Sequence, residues 1–495
     1  MRFKTIIFVF TALLLSPVLI STSYAQTDGV ILKAQQPWET YGVGSTCISG
    51  SSNLFVADID ADGVIEIITG GSMYQIINGS RGIGQAPLMI WNWNGNNITL
   101  ELSYKWPGSL RGVYAADLNG DSIVELITAG TYRNETGSYN TVRIWHWNNK
   151  ELSLKAHYEG IAVSSIQVSD LNKDGTPELL TVGRLTKDDK TTAQLTLWHY
   201  SNNLELIKTL ELDSADVTNA NSVYASDLDN NGDIEIAIAG YSDNLNNSKG
   251  QVTVWHWNGN VFTLKANKEW QLGGEGYALT IAGGVQGNTI ANNIKAADIN
   301  QDGVNELVVG GFTWDGQKVK AQIKIFAWDG TNLTEKDSQE WTSDYLTEVK
   351  CLSLYDVDGD GKTDVISSGT VAAAGSFKND SSPPDRGQLR IWDWNGEALT
   401  LKENKEWTLE DGACAWNVVA IDIDKEGDPE IVTVGCIGID NLCDPNMRIW
   451  EAPQTSNNSS YMIFLFVGVA IAAFAISILF FVHRGRSRKA NKAAT

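Results

Sequence analysis

The stretch "DIDADGVIE", residues 58–66, recurs with variations seven times along one chain, and near-periodic self-similarity of that length means a stack or ring of like units. The other copies are "DLNGDSIVE" from Asp117, "DLNKDGTPE" from Asp170, "DLDNNGDIE" from Asp227, "DINQDGVNE" from Asp298, "DVDGDGKTD" from Asp356 and "DIDKEGDPE" from Asp422. Acids or amides stand at places one, three and five, a glycine usually follows at six, and an acid closes at nine. Alternating oxygens of this kind suit a hard cation, because Ca2+ takes about six to eight oxygen ligands and a tight turn aims such side chains at one point.

An EF-hand would carry its bidentate glutamate at place twelve, which is Thr69 in the first copy, so this loop is a different one. The run after Glu66, "IITGG", is short, β-branched and closed by glycine, which puts the loop between two strands. A glycine also stands thirteen residues after each first aspartate, at Gly71, Gly130, Gly183, Gly240, Gly311, Gly369 and Gly435. Each marks a strand end where a side chain would clash. Alternating segments such as "LMIWNWNG" and "LRIWDWNG" follow, and then others such as "ITLELSYKW" and "LTLKENKEW". Asn94-Gly95, Asn258-Gly259, Asp329-Gly330 and Asn395-Gly396 are two-residue hairpin signals between them.

Each unit therefore reads as four strands, and radial repetition of such units makes a β-propeller. The last unit stops after a third strand, "MRIWEA", while "VILKAQQPW" from Val30 matches "LTLKENKEW" from Leu399. An N-terminal strand that completes the last unit would close the ring and hide both edges. The expected fold is all-β: a seven-bladed propeller over residues 26–452, closed by its N-terminal strand.

The unit "IKAADINQDGVNELVVGG", Ile294 to Gly311, resembles the FG-GAP and VCBS repeats of integrin α-subunit propellers and of many exported microbial proteins. The resemblance covers all seven units, most of residues 39–452. It implies Ca2+ at the matching places. These are Asp58, Asp60, Asp62 and Glu66; Asp117, Asn119, Asp121 and Glu125; Asp170, Asn172, Asp174 and Glu178; and Asp227, Asp229, Asn231 and Glu235. Further along they are Asp298, Asn300, Asp302 and Glu306; Asp356, Asp358, Asp360 and Asp364; and Asp422, Asp424, Glu426 and Glu430. The Gly-Ala-Pro part of the family motif is absent, the ninth acid is Glu in six copies where the family more often has Asp, and Ser122 replaces the turn glycine of the second. The first, sixth and seventh loops carry four carboxylates each and the others three with one Asn. That count predicts up to seven structural Ca2+ sites, strongest in the first and sixth because Glu426 in the seventh is longer than the usual ligand. The competing reading is a set of Asx-turns that satisfy themselves.

The ends are of another kind. Residues 1–25 have a basic start, an apolar run and small residues at Ser23 and Ala25, the pattern of a secretory signal peptide. Tyr461 to Val482 is free of charge and long enough to span a bilayer, after a Ser/Asn linker over 453–460 and before a basic tail over 483–495. The positive-inside rule leaves that tail in the cytoplasm and the body outside, so a single-pass cell-membrane protein is expected. A removable surface-sorting tail would look the same. Sequons at Asn78, Asn97, Asn134, Asn246, Asn332, Asn379, Asn457 and Asn458 fit an exported glycoprotein. The net charge of −22 becomes −29 once the seven basic residues of the ends are set aside, which argues against nucleic acid and for divalent cations. Five cysteines make no disulfide scaffold. Cys436 with Cys443 and Cys47 with Cys414 are candidate pairs, and Cys351 reads as a buried thiol.

Catalytic signals are lacking: there is no G-x-S-x-G, no phosphate loop and no H-E-x-x-H. His146, His199 and His256 recur beside tryptophans, and His157 and His483 complete the five histidines, too few for a metal cluster. Trp91 with Trp93, Trp145 with Trp147, Trp255 with Trp257 and Trp392 with Trp394 form stripes that pack between blades or stack on sugars. The irregular loops, residues 271–293 and 369–387, lie on the face opposite the acidic loops, with Tyr277, Phe377 and Trp314 as candidate contacts. A non-enzymatic, calcium-binding, surface-anchored propeller that binds an extracellular protein or glycan is the first expectation. A polysaccharide lyase or hydrolase, or a structural cell-envelope component, would use the same scaffold.

Overall fold

In the computed structural model the described residues lie between Gly29 and Gln454, without residues 272–288, 373–383 and several shorter segments. The signal peptide, residues 455–460 of the linker, the segment 461–482, the basic tail, Tyr277 and Phe377 fall outside them. Among the described residues there are strands and no helix.

The strands join as antiparallel meanders. Ser165–Ser169, Glu178–Lys187, Lys190–Tyr200 and Leu204–Leu212 form one four-stranded sheet in chain order, and Val217–Ser226, Glu235–Asp243, Ser248–Trp257 and Phe262–Trp270 form the next. The long strand Ile98–Ala116 serves two units: its first half pairs with Gln85–Trp93 and its second with Glu125–Asn134. The N-terminal strand Ile31–Pro37 lies on Asp444–Glu451, so the expected completion of the last unit is present.

The core lies between units rather than within them. Leu180, Leu195 and Leu197 cluster with Val223, Ile236 and Trp257 of the following sheet. Ile67, Met89 and Trp91 near the start of the chain share a cluster with Val432, Val434, Met447 and Ile449 near its end, so last and first units are packed together. All-β, propeller-like architecture follows from these meanders and shared cores.

The recurring glycine has its reason here. A Cβ on Gly369 would lie 1.8 Å from Glu348 O, and one on Gly240 1.8 Å from Asn219 O, because the neighbouring strand is bulged at that point and presses a carbonyl onto the chain. The tryptophan stripes are packing residues: Trp91 and Trp93 are 3% and 2% exposed, and Trp91 Nε1 donates to Thr69 Oγ1 at 2.8 Å. Outer-strand tryptophans extend the stack, with Trp407 4.8 Å from Trp450, Trp341 4.9 Å from Trp392, and the Arg390 guanidinium over Trp341. Burial leaves Trp91, Trp93, Trp145, Trp147, Trp392 and Trp394 no free face for a sugar, while Trp255, Trp341 and Trp407 are half-buried.

Two expectations are corrected. Trp314 is not a surface contact; it is buried with Ile290, Phe312 and Leu346. Cys414 is not paired with Cys47: it is a buried thiol whose Sγ accepts a hydrogen bond from Cys436 N at 3.0 Å. Cys436 is disulfide-bonded, and its expected partner Cys443 lies outside the described residues. Cys351 is the buried thiol it was expected to be.

Candidate metal centres in the acidic loops

All seven loops close by the same bonds. The ninth acid accepts the backbone N–H of place two, as in Ile59 N to Glu66 Oε2 at 2.9 Å, Leu228 N to Glu235 Oε2 at 3.0 Å and Val357 N to Asp364 Oδ2 at 3.1 Å. Residue six donates to the first aspartate, as in Gly63 N to Asp58 Oδ2 at 3.0 Å. Ser122 keeps that bond in the second loop, at 2.8 Å to Asp117 Oδ2 with φ of 68°, so the missing glycine leaves the loop intact. The residue at place two is buried, which draws the ninth acid inward. Burial raises Glu66, Glu125, Glu235, Glu306 and Glu430 to about 7, opposed by the bond from the place-two amide and assisted by neighbouring aspartates.

The third place then divides the loops. In the second, third and fifth it is Asn, whose amide turns to the other oxygen of the ninth acid: Asn119 Nδ2 donates to Glu125 Oε1 at 3.1 Å, Asn172 Nδ2 to Glu178 Oε1 at 2.7 Å and Asn300 Nδ2 to Glu306 Oε1 at 2.6 Å. In the first, fourth and seventh the third place is Asp, which has no proton to give. There Asp58, Asp60 and Asp62, then Asp227, Asp229 and Glu235, then Asp422, Asp424 and Glu430 bring ligand atoms within 4.8 Å of one another. In the same three loops the first aspartate leaves a buried oxygen, Asp58 Oδ1, Asp227 Oδ1 or Asp422 Oδ1, with no hydrogen-bond donor among the described residues. A buried carboxylate oxygen without a donor, beside two further acids, is what a cation would satisfy. These three donor sets fit one.

The sixth loop also converges, through Asp356, Asp358 and Asp360, but a lysine already stands in it. Lys402 Nζ lies 2.7 Å from Asp358 Oδ2, 2.8 Å from Asp364 Oδ1 and 3.8 Å from Asp360 Oδ2. Burial would lower the Lys402 ammonium, yet its bonds to Asp358 and Asp364 hold it above the ordinary lysine range. The acid count places this loop among the strongest metal sites, and its acids do converge, but the count leaves out Lys402.

Residues 356–433, which begin at the sixth loop and include the seventh, match the FG-GAP-like repeat model. Over those residues the chain is similar to FG-GAP-like repeats. Among solved structures, Sqt1 from Chaetomium thermophilum is similar over 85% of this chain and 100% of its own, at 12% identity and a TM-score of 0.43. The Dos1 propeller is similar over 85% of this chain and 95% of its own, at 11% identity and a TM-score of 0.44. No curated protein sequence matches the chain.

On this propeller the acidic loops and the Asn-Gly turns meet on one face. A Cβ on Gly95 would lie 2.9 Å from Asp424 Oδ2, and one on Gly330 2.7 Å from Asp229 Oδ2, so each turn sits against the loop of the preceding unit. Trp93 Nε1 donates to Glu430 Oε1 at 3.2 Å across the junction of first and last units. The first loop opens on a groove of about 290 Å3 lined by Asp60, Asp62, Ser122, His146 and Asn148. Glu426, expected as a ligand, is exposed and is not part of the converging trio of its loop. The signal that would have found Lys402 lies in the outer strands, where "LTLK" in one unit is "ITLE" in another.

Proposed function

We propose that this chain is a seven-bladed, calcium-stabilised propeller, held at the cell surface by residues 461–482, that binds an extracellular protein or glycan through the loops opposite its metal face. The observation that carries the calcium part is the set of buried Asp58, Asp227 and Asp422 oxygens with no donor, each beside converging acids. The bound ion would supply positive charge that lets these carboxylates stay ionised while buried, and so would fasten inner strand to second strand. A non-catalytic role is favoured by how the perturbed acids are used: each ninth-place carboxylate is spent on a backbone amide of its own loop. Export and anchoring rest on the two terminal segments of the sequence, and exposed Asn97, Asn134 and Asn332 are compatible with glycosylation.

The test is thermal unfolding of the full chain in detergent, in millimolar Ca2+ and in chelator. Binding to the native state alone stabilises by about 2.7 kcal/mol at a hundredfold excess over Kd, so the expected result is a midpoint several degrees higher with Ca2+. Equal midpoints would sink the calcium reading.

A further inference from the structure

Every outer strand has the same irregularity. Its pairing slips by one residue beside the first aromatic of the third strand: Trp91 faces Leu100 while Ile90 faces Leu102, and Trp392 faces Leu401 while Ile391 faces Glu403. The residue left over is Glu101 in the first unit and Lys402 in the sixth. The equivalents in the second to fifth and the seventh are Lys155, Ile207, Lys265, Lys336 and Lys33. A bulge re-aims a side chain, and in the sixth unit it aims one at the acidic loop. Lys402 Nζ reaches the carboxylates at places three, five and nine of that loop. The same position in the first unit holds an acid. Glu101 stands there at the matching slip, between Leu100, which faces Trp91, and Leu102, which faces Ile90.

We infer that the outer-strand bulge residue selects the cation of its loop: Lys402 supplies an ammonium in place of a metal ion in the sixth, and Glu101 adds a fifth acid to the first. Three observations carry it independently of acid count. The ammonium occupies three of the four expected ligand places. Among the loops with Asp at place three, the buried first-aspartate oxygen lacks a donor in the first, fourth and seventh, whereas in the sixth Asp356 Oδ1 accepts from Gly359 N at 2.9 Å. None of the remaining bulge lysines is hydrogen-bonded into its loop as Lys402 is: Lys155, Lys265 and Lys336 are exposed, and Lys33 pairs with Glu451 while also feeling the charges of Glu430 and Asp424. The first loop thereby becomes the most demanding of a divalent ion, and the sixth independent of one.

This inference rests on the calcium reading. The experiment is Tb3+ luminescence titration of the full chain, counting bound ions and reading the affinity of the tightest site. Lys402→Gln is expected to bind one ion more than the wild type, and Glu101→Lys one fewer. Glu101→Gln, conservative and on an exposed residue, is expected to weaken the tightest site by roughly tenfold, because ligand charge sets affinity. Should Lys402→Gln unfold in chelator, recovery of its near-ultraviolet circular dichroism on adding the ion alone supports the inference equally. Unchanged ion numbers in both charge-altering variants overturn it while leaving the calcium reading in place. A wild type that binds no ion overturns both.

Discussion

The first and sixth loops hold the same four acids by type or near-type, the same turn glycine and the same closing bond, yet they are electrostatically opposite. In the first, Asp58, Asp60 and Asp62 converge, the bulge residue of the unit is the acid Glu101, and Asp58 keeps a buried oxygen without a donor. Asp358, Asp360 and Asp364 face the Lys402 ammonium at 2.7 to 3.8 Å. Nine residues of motif do not define a site, because its charge balance is completed by one residue from two strands further along. Loop closure and cation demand are therefore separable properties: the ninth acid secures the first, and places one and three with the bulge residue decide the second.

The broadest way to break this comparison is pH. Glu66, Glu125, Glu235, Glu306 and Glu430 are raised from the ordinary 4.5 to about 7, so between those values the folded chain holds protons that the unfolded chain has lost. Their contribution to stability is complete below pH 4.5 and is lost as pH rises through 7. In chelator the unfolding midpoint is expected to fall across that window. With Ca2+ present the ionised form is the one that binds, so the midpoint should hold or rise. Midpoint curves that run parallel in the two conditions would mean that these acids do not face a cation.

Removal of the internal cation comes next in size. Lys402→Ala leaves Asp364, 1% exposed, and Asp358, 9% exposed, without their ammonium. Breaking a buried pair at one partner costs about 3 kcal/mol, which urea unfolding in chelator measures. Ca2+ is expected to restore much of that loss, since the variant has the charge pattern of the first loop. A loss of the same size with and without the ion would reduce Lys402 to an ordinary structural partner.

The four-strand unit, the closing strand at Ile31–Pro37 and the loop positions are legible in the sequence, because period-two alternation and sevenfold repetition reinforce one another. The glycine thirteen residues on is legible as a backbone need, and Gly369 against Glu348 O is that need. Lys402 is not legible in the same way. It stands 38 residues from Asp364, and a plain alternating strand would assign its face from its neighbours, whereas the slip beside Trp392 turns it toward the loop. Trp314 is illegible for a related reason: an aromatic near a strand end beside irregular loops has the pattern of a contact residue, and only its packing with Ile290 and Leu346 assigns it to the core. Ser122 shows the converse, since a single hydrogen bond to Asp117 holds a serine at φ of 68° in a loop where the sequence argued for glycine.

The smallest of the three effects sharpens the comparison most, because it asks whether a self-satisfied loop can be turned into a cation site by one atom. Asn300 Nδ2 donates to Glu306 Oε1 at 2.6 Å and to Asp302 Oδ2 at 3.1 Å, and the bulge residue of that unit, Lys336, is exposed. Asn300→Asp keeps the shape and replaces a donor by an acceptor, so Glu306 Oε1 loses its donor while Oε2 keeps Ile299 N, and the loop acquires the third-place acid of the first loop. In chelator the change should cost about 2 kcal/mol, the penalty of a buried acceptor left unpaired. In Ca2+ the loss should shrink, because the converted loop now resembles Asp58, Asp60, Asp62 and Glu66 in charge without any ammonium beside it. If urea unfolding returns the same cost in both conditions, the third place is only a hydrogen-bonding position, and the division of the seven loops into satisfied and cation-demanding kinds has to be drawn elsewhere.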